Sequence, residues 1–331
     1  MMKRLLSSFL IMVCISMVTI FAEKFCFAGD EARELSFAQL RFNFYDAEFV
    51  DPLNGWLGGK AGVLYATQNG GMTWRAQDTG GLRAVFSIKF VDKRRGWAVG
   101  ESGLVISTTN GGETWLHQKS PVDNHLLCLA FTDSMHGCAA GDWGKVIYTE
   151  DGGKNWINVS LEEDIILYDI AFTSENEGYM AAEFGVIYHT TDGGKTWEKV
   201  VEEMDEFGFG TSVFGMSIDN QGNGLAVGVE GVLFRTSDGG KTWEKDRIDT
   251  DKTLYNVLLF DGKGLAVGDS GTIFETKDGG KSWERVGVPE ILTANWLQCI
   301  ARVGEDKYIV TGARGVMLFI QNSVVSLKGF K

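Results

Sequence analysis

Positive charge is scarce in this chain, which carries 31 Lys and Arg against 44 Asp and Glu for a formal charge of −13. Neutralising phosphates requires a basic surplus, so the composition argues against a nucleic-acid partner. Cysteine is thin as well, with five in 331 residues. The three beyond the N-terminal segment, Cys128, Cys138 and Cys299, are odd in number and show no C-x-x-C spacing. Neither a disulfide framework nor a zinc site is therefore expected, and they read as small core residues. The four histidines, His117, His125, His136 and His189, fall in different units or strands without metal-ligand spacing. No metal and no cofactor is expected. A helical period is missing from the chain beyond the N-terminal segment, which excludes helical architectures.

What is present begins with Met1-Met2-Lys3-Arg4, followed from Leu5 to Ala22 by apolar or small residues without a charge. That is the pattern of a secretory signal, and Cys26 at −3 with Ala28 at −1 places the expected cut after Ala28. Residues 1–28 are read as the signal and 29–43 as an N-terminal segment. The alternative is an uncleaved anchor, since an apolar run of this length lies at the lower limit for crossing a bilayer. Cleavage leaves 28 Lys and Arg against 43 Asp and Glu. The expected location is the periplasm or the extracellular space.

The rest of the chain repeats. The segment Thr191-Thr-Asp-Gly-Gly-Lys-Thr-Trp197 recurs with its Trp at positions 74, 115, 156, 197, 243 and 283, in steps of 41, 41, 41, 46 and 40 residues. Ahead of each copy lies a glycine signature, as in Gly96-Trp-Ala-Val-Gly-Glu-Ser-Gly103, which occurs seven times. The seventh unit, with Tyr308-Ile-Val-Thr-Gly-Ala-Arg-Gly315, lacks the Trp box. Each unit reads as four short strands separated by glycine turns, as in Ala84–Phe90, Trp97–Val99, Leu104–Thr108 and Thr114–His117. Four strands per ~40–45 residues is the spacing of a propeller blade. The predicted fold is all-β, a seven-bladed propeller of four-stranded antiparallel blades over 44–80, 81–121, 122–162, 163–206, 207–250, 251–289 and 290–331. Glu34 to Asn43 is expected to add a strand to blade seven or to lie across a face.

The boxes have a local physical reading. Asp151, Asp192, Asp238 and Asp278, with Asn69 and Asn110 in the first two units, can bond turn N–H groups, and the paired glycines accept positive φ. Trp74, Trp115, Trp156, Trp197, Trp243 and Trp283 would bury their rings between blades. Except for the third, where Glu150 stands beside Asp151, each box offers at most one carboxylate, whereas a calcium loop alternates several oxygen ligands, so the boxes read as structural staples.

At these residues the chain resembles the BNR or Asp-box propellers, and the pairing of G-x-x-x-G-x-x-G with T-x-D-G-G-x-T-W is similar to the photosynthesis system II assembly factor family over about residues 44–331. The resemblance implies an exported, non-catalytic scaffold that holds a protein partner, such as an envelope or membrane complex, as a monomer. The alternative is a glycan-acting Asp-box protein, a sialidase-like glycoside hydrolase or a lectin. Sialidases carry an Arg-Ile-Pro segment, an arginine triad and a Tyr–Glu pair. Here Pro52, Pro121 and Pro289 are the only prolines, and none follows Arg-Ile.

In a propeller blade the boxes lie at one end of the molecule, where four carry Lys154, Lys195, Lys241 and Lys281. The turns between second and third strands lie at the other end and carry Glu101, Asp142, Glu183, Glu230 and Asp269, with Lys60 and Arg314 in the remaining two blades. Connections there add Glu162-Glu163-Asp164 and Glu202 to Glu206. Like charge around a central depression draws cations or a basic partner. Trp143 and Phe184 interrupt this ring of acids, and an aromatic beside an acid is a partner-binding pattern. Blades three to five of the acidic end are the candidate site. Asp46, Glu48, Lys89 and Asp169 fall on innermost strands as candidate channel residues.

Overall fold

The computed structural model describes residues 34–202, 210–327 and 329. The signal expected over 1–28 and the acidic stretch 203–209 lie outside them. From Glu34 onward the chain forms seven antiparallel sheets. The third blade shows the pattern, with Leu126–Phe131, Gly137–Gly141, Val146–Thr149 and Ile157–Asn158 paired in chain order. First strands touch one another around a ring, and Phe44–Phe49 touches Leu297–Gly304 to close it. The only helices among the described residues are three-residue 3-10 turns. The seven-bladed propeller expected from the repeat is the fold observed.

The core lies between blades. Second strands such as Gly96–Gly100 and Gly137–Gly141 are buried along their whole length, so both faces carry small or apolar residues. Trp97 and Val99 of blade two share one apolar cluster with Leu129 and Phe131 of blade three. Glycine opens the second strand because an aromatic lies across it. A Cβ at Gly96 would sit 2.5 Å from the Phe90 ring.

Ring closure differs from expectation. Glu34–Ser36 does not join blade seven; it pairs with Thr73–Ala76 as a fifth strand on the outer edge of blade one. The chain then crosses the seam. Phe37 meets the Phe319 ring of blade seven edge-to-face at 5.0 Å, Leu40 is buried in the cluster shared by blades one and seven, and Arg314 N donates to Asn43 Oδ1 at 2.9 Å. Blade seven builds its four strands from C-terminal residues alone, so the segment acts as an apolar strap and not as a shared strand.

Two ends are thereby defined. At one, each box meets the turn between first and second strands, as in Gly152 N to Met135 O at 2.9 Å. At the other, the turns between second and third strands meet the connection to the next blade, as in Gly144 N to Ile165 O at 2.7 Å.

One irregularity recurs in all seven first strands. Pairing skips one residue, between Phe44 and Asp46, Val85 and Ser87, Leu126 and Cys128, and at the matching place in the other four blades. Each is a β-bulge, a device that re-aims a side chain out of the ladder.

Candidate partner-binding site

At the box end the polar atoms close on one another. Thr190 Oγ1 donates to Asp192 Oδ1 at 2.8 Å and accepts from Gly194 N at 3.0 Å. Asp192 Oδ1 also accepts from Thr196 N at 2.9 Å, while Oδ2 accepts from Thr196 Oγ1 at 2.6 Å. Asn69 and Asn110 repeat this with their amide oxygens, each 3.0 Å from Thr73 N or Thr114 N. Bonds from Thr242 and Ser282 hold Asp238 and Asp278 at about 2, well below the usual carboxylate range. Each box Trp packs against the preceding blade. Trp156 sits edge-on to Phe131 at 6.0 Å in the cluster that holds Trp97 of blade two. Trp74 is fully buried and donates to Gly71 O at 2.9 Å. Among the described residues no group of three His, Cys, Asp or Glu side chains could hold a metal.

Two inter-blade ties were missed from sequence. Trp56 stacks on Phe90 at 3.5 Å and Trp97 on Phe131 at 3.8 Å. Their indole N–H groups donate to Gly111 O and Gly152 O in the next blade's box. The signal was a Trp at the second place of the glycine signature.

The opposite end is less self-satisfied. The second residue of each turn is left-handed, namely Ala61, Ser102, Trp143, Phe184, Glu230, Ser270 or Arg314. Glu101, Asp142, Glu183 and Asp269 occupy the first place, so Glu230 stands one position off the other acids. Glu101 and Glu183 are partly committed to the backbone, accepting from Ala84 N at 2.9 Å and Ile166 N at 3.0 Å. Asp269 accepts from Ser270 N. Burial pushes the Asp142 carboxyl up, with His125 opposing it. Trp143 is 59% exposed at φ 60°, a conformation a bulky side chain rarely holds without strain. Phe184 is half-buried, with Gly210 packed against its carbonyl.

The bulges put a second feature at this end. The skipped residues are Tyr45, Phe86, Leu127, Tyr168, Phe214 and Tyr255, followed by Gln298 in blade seven. All are half-buried. Tyr45 and Phe86 meet at 5.3 Å, and Phe86 lies 5.7 Å from His125. Trp296 extends this arc by stacking on Tyr45 at 6.1 Å. A second arc runs from Tyr168 to Phe214 at 4.7 Å and on to Tyr255 at 5.8 Å. Because first strands encircle the axis, the two arcs form an aromatic annulus around it, interrupted at Leu127 and Gln298. The turn acids stand over it: Tyr168 is pushed up to about 12 by burial and then by the charges of Glu183 and Asp142. Burial also raises Tyr45, with Glu101 adding to it, and Tyr255, with Asp269 adding.

Deeper in the channel, the carboxylates are tied to backbone. Asp46 Oδ2 accepts from Ile88 N at 2.8 Å and Ser87 Oγ at 3.0 Å in blade two. Asp169 Oδ2 accepts from Met216 N of blade five at 2.8 Å, and Oδ1 from Ile170 N at 2.8 Å. Burial nonetheless pushes them up to about 6 and about 7. Lys89 and Glu48 form an ion pair at 2.7 Å. These four expected channel residues thus stitch neighbouring blades.

Taken together, the molecule is a seven-bladed box-repeat propeller with one end of closed Asp or Asn turns and an acidic, aromatic end. Residues 31–120, 113–206 and 202–324 match the family described as photosynthesis system II assembly factor YCF48, and the chain belongs to that family. No curated protein matches it. Among solved structures it is similar to "YCF48 bound to D1 peptide", with 18% identity, a TM-score of 0.72 and coverage of 89% of this chain and 98% of that one. YCF48 from Cyanidioschyzon merolae is similar at 19% identity and a TM-score of 0.68, over 86% and 96% of the two chains. An ancestral GH74 enzyme shares the fold at 15% identity and a TM-score of 0.67, with 87% of this chain covering 46% of that one.

Proposed function

We propose that the protein is an exported, non-catalytic scaffold that holds a protein partner against the acidic end of its propeller. The observation that carries this is Trp143, an exposed indole next to Asp142 in a left-handed turn that only glycine would adopt without strain. The family and the peptide held by one solved relative support a polypeptide as the partner. Export rests on the charged start and apolar run of residues 1–28.

The glycan-hydrolysing alternative requires two carboxylates flanking a cleft with oxygens free for acid and base work. The buried candidates, Asp46 and Asp169, each direct both oxygens at backbone N–H groups. That favours the scaffold. The test is affinity capture of partners from the native envelope by the wild type and by an Asp142→Asn, Glu230→Gln variant. Among the described residues neither carboxylate accepts a backbone bond, so the fold should be unaffected while capture weakens and its salt dependence flattens. Capture unchanged by this variant but lost on replacing Lys154, Lys195 and Lys241 would move the site to the box end.

A further inference from the structure

We propose that the annulus of bulged aromatic residues at the acidic end is a receptor for cationic side chains of an extended peptide, lysine or arginine entering from the axis. This rests on the scaffold reading and names the chemistry of its partner. Seven bulges occur at one level of the ring, and five of the seven skipped residues are aromatic. A bulge whose only task was to curve the strand would place no demand on the side chain. Here the side chains meet ring to ring across blade boundaries, in arcs on both sides of the axis.

Aromatic faces carry negative quadrupole potential and attract cations, most strongly where water is partly excluded. Half-buried rings provide that exclusion, and the acids above them supply charge complementarity. Glu101 lies near Tyr45, Glu183 and Asp142 near Tyr168, and Asp269 near Tyr255, each close enough to act on the phenol. An anionic chain would be repelled by this rim, and a purely apolar one would leave the acids unpaired. A peptide, and not a folded surface, is the fitting occupant because the rings lie on innermost strands beneath the rim of turns. Trp143, exposed on that rim, would take the flanking apolar residue of the same chain.

The test uses the chain from residue 29 onward and fluorescein-labelled capped octapeptides alternating serine with lysine, glutamine or glutamate, followed by fluorescence anisotropy. The expected order is lysine far above glutamine, with no binding of glutamate. Tyr168→Leu with Phe214→Leu keeps apolar volume and removes two ring faces, and should weaken the lysine peptide about tenfold. The loss should persist at high salt, because it removes ring contact and not net charge. If that pair of changes prevents folding, Tyr45→Leu tests the other arc alone with a loss of about threefold. Equal binding of lysine and glutamine peptides, or full retention in the leucine variants, would overturn the proposal. Failure of the lysine peptide while envelope capture still depends on Trp143 and Asp142 would remove this inference and leave the scaffold standing.

Discussion

The two ends of the propeller are built from the same repeat and use polar residues in opposite ways. At the box end Asp192 takes hydrogen bonds from Thr190, Lys195 and Thr196 within one turn, and Trp197 after it is half-buried against the core of the neighbouring blade. At the acidic end the Asp142 carboxylate takes no such bond among the described residues, Trp143 faces solvent, and the bulged rings meet across blade boundaries. On the proposed function, the contrast separates stability from recognition within one repeat. Residues that recur in six blades, with the box Asp or Asn oxygens bonded inside the turn and the Trp rings packed on the preceding blade, hold the ring together. On the same proposal, residues that depart from the repeat at the opposite turns, Trp143 first among them, are the ones left for a partner.

The sharpest break of this comparison should come from the box end. Trp74→Ala empties the seam between blades one and seven, where the indole is fully buried and no shared strand closes the ring. It should lower stability by ~3–5 kcal/mol in denaturant titration. Partner capture at a temperature where the ring persists should be unchanged. A small loss would mean that the strap from Glu34 to Asn43 closes the ring by itself.

A smaller effect is expected from Asp192→Ala, which strips the turn of its acceptor and should destabilise by ~1–2 kcal/mol. The hydrogen bonds hold the Asp192 carboxyl below its ordinary 3.8 despite some burial. A folded pKa below the unfolded one gives stability that is present above about pH 4 and lost as pH falls further. The gap between wild type and variant should therefore narrow in acid, which thermal melts across that range would show.

The channel offers the reverse sign. Asp169 titrates at about 7 in the folded chain against an ordinary 3.8, so the folded state keeps the proton over the range where the unfolded chain has lost it. Stability then falls as pH rises from about 4 to about 7. Asp169→Asn should flatten that slope, leaving the variant less stable than wild type near pH 5 and closer to it near pH 8. An unaltered slope would show that Asp169 does not carry the proton.

The same contrast between ends separates what was legible in the sequence from what was not. Blade number, strand order and the box turns followed from glycine and Trp recurring every 40 to 46 residues, because turn chemistry there is local. Closure was not legible: Leu35 and Phe37 act through packing on blade seven, and a short apolar segment carries no sign of which edge it meets. The aromatic annulus was missed for another reason. Tyr45, Phe86, Tyr168, Phe214 and Tyr255 recur at the repeat spacing, but regular alternation assigns them to a blade face, and only the bulge turns them toward one another. Likewise, Glu101 and Glu183 looked like free surface acids, while the structure shows them also holding the start of an innermost strand.

The most direct test of the division between ends is Trp143→Gly, followed by its melting temperature and its capture of the native partner. Glycine adopts the left-handed turn without the ~1–2 kcal/mol that a bulky L-residue pays there. With the acidic end as the working surface, the variant melts at or above the wild-type temperature and captures markedly less partner at every salt concentration. A variant that melts lower and captures as much as wild type would show Trp143 to be structural and would contradict the assignment of the acidic end as the working surface.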